Sequence, residues 1–430
     1  MSWFQPPVEY ARGAFAANPV RVSASGASEG WSGMSLTGAG LLDFVREGGM
    51  TSSGQVVNTR TALKNPTMFR ACSLIANSMG MLPFQLIDEA TKQKADKEPL
   101  YRVLHREPNN WQTAFDFRAH MQLMALVHRD ACAIIVRSYN GAARREVVTR
   151  LVPLNPLRVE IVQNDDWSLS YKYTPKKGQT VVYGAEEIFH LRGLSLDSIH
   201  GISLVEQAAE AIGTAMAAER ALGRLYKNGT FIGGTLRHPG QLSDPAFDRL
   251  KASLAEKEGA DEAGRNLILE EGMEYLAVGS TAKDAQHIEN RKMQVEEIAR
   301  VTGVPRPLLM VDETSWGSGI DALGQFFVRY ALGPWFEAWQ QAVERSLLVG
   351  EEKDRLSAKF NPAALLRGSM KDQGDFFSKA LGAGGAPGWM TPNQVLDAQD
   401  MPRHPDGDRL NPGSAAKPAN DGGQVDPANP

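Results

Sequence analysis

Hydrophobic residues recur every three or four positions in several long segments of the chain, which is the spacing of one face of an α-helix. The first of these segments carries Met68, Cys72, Ile75 and Met79. It follows Asn65-Pro66, a pair that favours a helix start because Asn caps the first turn and Pro fits its first position. We therefore predict a helix from residue 66 to Gly80, followed by a strand over 83–87.

A second helix is predicted from Thr113 to about His128, because Thr113 and Asp116 have the spacing of a capping box. After it, apolar positions recur every second residue, which is typical of half-buried strands. Gly, Pro and Asn separate six such stretches, at 132–137, 147–152, 158–162, 169–173, 180–183 and 187–191. The first half of the chain is accordingly predicted to be an α+β domain of helices and antiparallel strands.

Helical spacing returns in the second half. Ser203-Leu204-Val205-Glu206 has the form of a capping box and predicts a helix that runs to about Asn228. Another helix is predicted from Thr281 to about Thr302, and the insert 229–280 lies between the two. Within the insert we expect strands near 235–236, 266–269 and 273–278 and a helix over 243–258. Two helices would thus flank a small module.

The first of these two helices is dense in small residues. Ala208, Ile212, Ala215 and Gly223 lie along it, and small side chains let helices approach closely. One interpretation is tight packing against a neighbouring subunit around a cyclic axis. The alternative is an ordinary buried helix face within a monomer.

A long helix is predicted over 319–349. Pro334 lies inside it and should kink it, because Pro lacks an N–H and crowds the carbonyl of Tyr330. Residues 361–380 are also expected to be helical, and Thr391 is expected to start a further helix.

The two ends of the chain lack these patterns. Residues 1–60 are rich in Gly, Ser and Ala and are interpreted as a flexible arm with a short helix at 41–47. Residues 403–430 are rich in Pro, Gly, Asp and Asn and are interpreted as a disordered tail.

Composition narrows the classes of function. Hydrophobic residues make up 42% and charged residues 22% of the 430 residues, as in folded globular proteins. The net charge is −4, so DNA binding through bulk positive charge is excluded, although a local basic patch is not. Two cysteines, Cys72 and Cys132, are too few for a disulfide framework or a four-cysteine zinc site, and the cytosol is the expected folding compartment. No membrane helix and no signal peptide are predicted.

Motifs of common enzyme classes are missing. No Lys directly follows a Gly, which argues against a Walker-type nucleotide loop. Gly317-Ser318-Gly319 lacks the spacing of a nucleophile elbow, and His120 and His128 lie too far apart on one helix to share a metal ion. We predict no catalytic residue, no cofactor and no metal site. A hydrolase with an unrecognised site is kept as the less favoured alternative.

Short blocks spread from residue 61 to 410 add a family resemblance. The blocks are 62–66, 71–76, 82–83, 151–159, 187–193, 201–206, 269–274, 296–311, 388–395 and 407–408. In this order they resemble the tailed-phage portal proteins of the HK97 type. One departure is Leu204, since the family often has Pro after the capping Ser. Another is the Gly-rich run 314–319.

The resemblance implies an α+β portal fold and a closed ring, usually of twelve copies, at one vertex of an icosahedral head. The implied parts are an N-terminal arm (1–60), an α/β wing (61–202), paired stem helices (203–228 and 281–302), a small α/β clip (229–280), a tunnel loop (303–319), a long kinked wing helix with a helical crown (320–402) and a tail (403–430).

Such a ring would be a non-enzymatic channel through which double-stranded DNA is packaged and ejected. The implied partners are further copies of the chain, the terminase large subunit, a head–tail adaptor protein, the major capsid protein or a scaffold, and DNA bound without sequence specificity; no membrane is implied. The expected location is the virion, and the host cytoplasm during assembly. A gene-transfer agent or a defective prophage particle is an alternative setting.

The resemblance also points to candidate functional residues. Arg306, Asp312 and Trp316 lie in the implied tunnel loop and are expected near DNA, although Trp316 packing under the long helix is the alternative. Acidic residues of the clip are expected to dock a basic partner, with a solvated face as the alternative: Glu256, Glu258, Asp261 and Glu262. Ala208, Ile212, Ala215 and Gly223 are the expected inter-subunit stem contacts.

Overall fold

A computed structural model of the protein describes residues 49–141, 145–228, 234–237, 244–245, 247–249, 251, 274–277, 281–310, 320–362, 370–399 and 401–412. The helix predicted at 41–47 lies outside these residues, as do the strand predicted at 266–269 and most of the helix predicted at 243–258.

The described chain opens with a small hairpin and two helices. Strands β1 (Gly49–Met50) and β2 (Val56–Val57) pair antiparallel, and helix α1 (Thr59–Ala62) leads into α2 (Pro66–Met81). The Asn65 side chain accepts hydrogen bonds from the amides of Thr67 and Met68. The predicted helix start is therefore confirmed, with its expected cap.

The next elements complete the helical layer of the first half. Strand β3 (Phe84–Asp88) follows as predicted, and α3 (Pro99–His105) is a short helix that the sequence analysis did not predict. Helix α4 (Ala114–His128) begins with the predicted capping box, in which Thr113 and Asp116 bond each other's backbone amides.

Two three-stranded antiparallel sheets follow, in which all six predicted strands are present. The strands are β4 (Asp130–Asn140), β5 (Arg145–Pro153), β6 (Val159–Gln163), β7 (Leu169–Tyr173), β8 (Val181–Gly184) and β9 (Ile188–Arg192). One sheet has the order β5-β4-β9 and the other β6-β7-β8. A small second core joins the two sheets through Cys132, Leu154, Tyr171 and Ile188.

The paired helices of the second half are present. The first is broken near its start into α5 (Leu204–Gln207) and α6 (Ala209–Asn228), and α7 (Thr281–Thr302) is the second. Between them, β10 (Gly234–Arg237) pairs antiparallel with β11 (Glu274–Ala277).

The long helix is distorted, as predicted, just before Pro334. Helix α8 (Ile320–Phe326) passes into a π-helical stretch, Phe327–Leu332, and then into α9 (Gly333–Ser346). The Gly333 amide donates to the carbonyl of Val328, five residues back. The wider turn follows from Pro334, which lacks an N–H and crowds the carbonyls of the preceding turn.

The C-terminal part returns to the first half of the chain. Helix α10 (Glu352–Arg355) precedes β12 (Leu356–Phe360), which pairs antiparallel with β3. No pattern in the sequence predicted β12. Helix α11 (Met370–Ala380) occupies the later part of the predicted 361–380 segment, and α12 (Pro392–Ala398) starts at the predicted Thr391 cap.

The disorder predicted from residue 403 is wrong for residues 403–412. The Arg403 guanidinium pairs with Asp397 at 2.6 Å. Asn393 donates its amide to the Gly407 carbonyl and its side-chain N–H to the His404 carbonyl, both at 2.9 Å. Polar composition indicated a solvated tail, but these residues satisfy their hydrogen bonds against α12.

The main core centres on Trp339 of α9, whose side chain is 1% exposed. Its ring lies 5.9 Å from Phe84, 6.5 Å from Phe117 and 5.6 Å from Phe189, centroid to centroid. Its indole N–H donates to the Gln122 side chain at 2.8 Å. The long helix is thereby fixed against β3, α4 and β9.

Candidate functional site

The paired helices α6 and α7 leave the core together. They have 20 and 22 residues, or about 30 Å each at 1.5 Å per residue. Near the core, Ile212 and Ile298 are buried, whereas residues 219–221 and 289–293 farther along are exposed. Arg291 approaches Glu219 across the pair, with N to O at 3.9 Å. The helices therefore project from the core with β10 and β11 between them in sequence.

The junction of the first helix with the rest of the fold is held by three side chains. Ser203 caps α5 by accepting from the Glu206 amide, and its hydroxyl donates to the Val127 carbonyl at 2.8 Å. The Glu206 carboxylate does not turn back to complete the capping box. It binds the Arg129 guanidinium instead, with the closest contact at 2.6 Å.

A buried polar cluster lies beside this junction. Asp130, at the start of β4, accepts from His190 Nε2 at 2.8 Å and from the Gly201 amide at 3.0 Å, both through Oδ1. Its Oδ2 lies 3.0 Å from His200 Nδ1. His190 Nδ1 in turn lies 3.1 Å from the Tyr171 hydroxyl. One carboxylate thus ties the segment leading into α5 to strands β4 and β9.

The electrostatics of the cluster follow from its burial. Burial lowers the pKa of His190, although the Asp130 carboxylate opposes this, so the imidazole is neutral. A neutral ring that donates from Nε2 must accept at Nδ1, so the Tyr171 hydroxyl is the donor. Burial raises the pKa of Tyr171 to about 12.

The pKa of Asp130 shows the same balance. Burial raises it, but the hydrogen bonds from His190 and from the Gly201 amide outweigh burial, and the net shift is downward. His190 is 3% exposed, and burial raises the pKa of the neighbouring Cys132 thiol, so the geometry fits a structural tie. Sequence analysis assigned His190 no role, and no local motif marks a cluster built from residues this far apart.

The small residues of the first long helix are not placed as the inter-subunit interpretation requires. Ala208, Ile212 and Ala215 are 1%, 0% and 1% exposed within the single chain. They pack inside the protomer, which favours the alternative of an ordinary buried helix face for these three. Gly223 is exposed and has open space where a Cβ would be, and it alone of the four is available to a neighbour.

Arg306 lies in a short 3₁₀ turn, Arg306–Leu309, directly after α7. Its guanidinium pairs with Glu296 of α7 at 2.7 Å and remains 47% exposed. Glu296 also holds Arg300, at 3.2 Å. Asp312 and Trp316 lie outside the described residues, and so do the clip acids Glu256, Glu258, Asp261 and Glu262.

Two further observations concern the part of the chain that the structure describes. Its residues include no group of three or more His, Cys, Asp or Glu side chains placed to hold a metal ion. None of its helices is both long and apolar enough to cross a membrane.

Comparisons with known proteins agree with this architecture. The family model for phage portal proteins matches residues 66–400. The portal protein of Enterobacteria phage HK97 is 31% identical over 360 residues, which cover 82% of each chain.

Two solved structures share the fold. A chain in the neck of an empty gene transfer agent particle, computed with C6 symmetry, is 21% identical, with a TM-score of 0.57 over 80% of this chain and 93% of that one. An HK97-family portal protein from Corynebacterium diphtheriae is 20% identical, with a TM-score of 0.51 over 73% of this chain and 98% of that one. The predicted α+β portal fold is therefore confirmed, and the chain belongs to the phage portal protein family.

Proposed function

We propose that copies of this chain form a ring-shaped channel, usually of twelve, at one vertex of a capsid, through which double-stranded DNA is packaged and ejected. The observation that carries the proposal is the pair of helices α6 and α7, which project from the core and expose residues 219–221 and 289–293. Repeated around a cyclic axis, such pairs would enclose a channel. Family membership supports the same arrangement.

The charges of the paired helices suit a conduit. Residues 203–228 carry three basic and three acidic side chains, and 281–302 carry four of each. A wall without net positive charge releases DNA readily, because each strong phosphate contact would hold it back. We assign residues 61–202 to the wing, 229–280 to the clip and 303–319 to the tunnel loop.

The tunnel loop is proposed to approach DNA through Arg306, Asp312 and Trp316. The Glu296 carboxylate beside Arg306 would lower its attraction for phosphate without removing its exposed N–H groups. The acids Glu256, Glu258, Asp261 and Glu262 are proposed to dock a basic surface of the packaging machinery or of a head–tail adaptor.

We propose that the chain itself has no hydrolytic activity. The portal family is structural, and the energy for DNA movement would come from ATP hydrolysis by the separate terminase large subunit. Capsid or scaffold protein would position the ring during assembly in the host cytoplasm, and the finished ring would remain in the virion.

A second setting is a gene-transfer agent. The likeness to a chain of such a particle's neck favours it, and the same ring would serve there. Neighbouring genes discriminate the two settings, because a virus carries replication and lysis genes. A defective prophage particle is the third setting.

The test is packaging by particles that lack this chain. Without it, heads should form but contain no protected DNA, and the wild-type chain supplied in trans should restore packaging. Antibody label should mark one vertex per particle. Full packaging without the chain would contradict the proposal.

A further inference from the structure

A cleft of about 720 Å³ lies where the segment before α5, the end of α7 and helix α9 meet. Its apolar wall includes Trp335, Ala338 and Leu204, and Tyr330 stands at its edge, 59% exposed. Gly193 lies against the Trp335 ring so closely that a Cβ would collide with it. The cleft is therefore a formed surface rather than a gap between loose loops.

The cleft is also cationic. Arg192, Arg300 and Arg345 line it, against one acid, Glu337. Nη1 of Arg192 is buried without a hydrogen-bond partner among the described residues. Arg345 donates to the His190 carbonyl at 2.7 Å. Burial lowers the pKa of Arg345, and the neighbouring Arg192 lowers it further.

Arg192 is half-buried, whereas Arg345 is exposed at the cleft. An anion between the two guanidinium groups would offset the desolvation of Arg192 and their mutual repulsion. Among the described residues, no carboxylate forms an ion pair with Arg192 or Arg345. An anionic side chain of another molecule would fill this position. An aromatic ring would suit the same site, because it can pack on the apolar wall and lie over a guanidinium face.

The turn between β6 and β7 carries both an anionic side chain and an aromatic ring at its tip. Trp167 has a left-handed backbone, with φ of 66°, and is 81% exposed. Asp165 and Asp166 precede it and are exposed. The tip is pre-organised, because Ser168 donates its amide to Asp166 at 3.0 Å and Asn164 and Ser168 bond across the turn at 2.8 Å.

We propose that the cleft receives the β6–β7 turn of a second copy of this chain, with Trp167 on the apolar wall and the Asp165 carboxylate beside Arg192 and Arg345. A closed ring needs two different complementary patches on each chain, and the cleft and the turn are such a pair. The inference rests on the proposed ring. Buried Trp and Arg anchors are the residue types that dominate interface energies.

The test is cross-linking between Asp165→Cys and Gln341→Cys, an exposed position at the cleft. The natural Cys72 and Cys132 are buried and give little background. With a short bis-maleimide, the double variant should give a ladder of covalent multimers up to the full ring. Neither single variant should give this ladder. A control pair that combines Gln341→Cys with Tyr139→Cys should not give it either, since Tyr139 is exposed on a different hairpin.

A second measurement tests the chemistry. Trp167→Ala should weaken ring association at least tenfold, whereas Trp389→Ala, also exposed, should leave it unchanged. Arg192→Glu should disrupt rings, and adding Asp165→Arg should restore them.

The outcomes separate the two proposals. Rings that form normally but give no ladder, or a cross-link confined to one chain, overturn the docking proposal and leave the channel proposal standing. A chain that never associates, even with capsid protein present, overturns both.

Discussion

The buried Asp130 carboxylate accepts a hydrogen bond from the buried His190 side chain at 2.8 Å, close to the segment that leads into the first long helix. The same oxygen accepts from the Gly201 amide at 3.0 Å. One buried carboxylate therefore helps to hold the segment that leads into the first long helix against the sheet.

Replacing Asp130 tests this dependence. Asp130→Ala leaves the His190 and Gly201 donors without an acceptor and should lower the free energy of unfolding by about 3 kcal/mol. Asp130→Asn keeps an oxygen for both donors, and its amide can face His200, so its cost should be about 1 kcal/mol. Urea unfolding of the two variants measures the difference. Equal losses would show that these hydrogen bonds do not hold the junction.

The free energy of unfolding should decrease as the pH is lowered below about 6.5. Burial lowers the pKa of His128 from 6.5 to about 4, and burial lowers the pKa of His190 as well. Between these values the unfolded chain binds protons that the folded chain does not, so acid favours unfolding. Each such histidine should contribute a slope of up to about 1.4 kcal/mol per pH unit. His128→Gln should remove one contribution, and unfolding curves from pH 7 to 4.5 measure it; an unchanged slope would contradict the assignment to His128.

Local signals were enough to place most elements from the sequence. Asn65-Pro66, Thr113 with Asp116, and Thr391 each begin a helix where predicted, because a cap depends only on neighbouring residues. The seven-residue helix α3 was missed, since it is too short to show a period.

Long-range relationships were not predictable in the same way. Strand β12 pairs Leu356 with Asp88, and no local pattern specifies so distant a partner. The stripe of Ala208, Ile212 and Ala215 indicated close approach, but its partner proved to be the protomer itself. Glu206 was expected to cap its own helix and binds Arg129 instead, because a longer-range cation competes with the local amide.

Gly201 should not tolerate a side chain. A Cβ there would overlap the Arg129 carbonyl oxygen, and a backbone atom cannot swing aside as a side-chain tip can. Gly201→Ala should therefore cost about 2–3 kcal/mol. Gly324→Ala is the matched control, because Gly324 lies in α8 with open space around it, and this change should stabilise the chain by about 0.5–1 kcal/mol. Thermal unfolding compares them, and an equal shift of Tm would refute the close contact.

Arg306 should affect packaging more than folding. Its exposed ion pair with Glu296 is worth less than about 1 kcal/mol, so Arg306→Ala should leave Tm nearly unchanged. If the residue faces DNA, the yield of packaged DNA should fall for Arg306→Ala and for Trp316→Ala. Glu296→Gln removes the ion pair but keeps the arginine, and should package more DNA than Arg306→Ala. If neither loop variant changed the yield of packaged DNA, the proposal that Arg306 and Trp316 approach DNA would be contradicted.

Whether copies of the chain form a closed ring is measured by the native mass of the purified chain in light scattering, followed by averaged electron images. Twelve copies of the 46.9 kDa chain would form a closed ring of about 560 kDa. We expect such rings with a central hole, in isolation or once capsid and scaffold proteins are added. A chain that stays monomeric in the presence of those proteins would contradict this expectation.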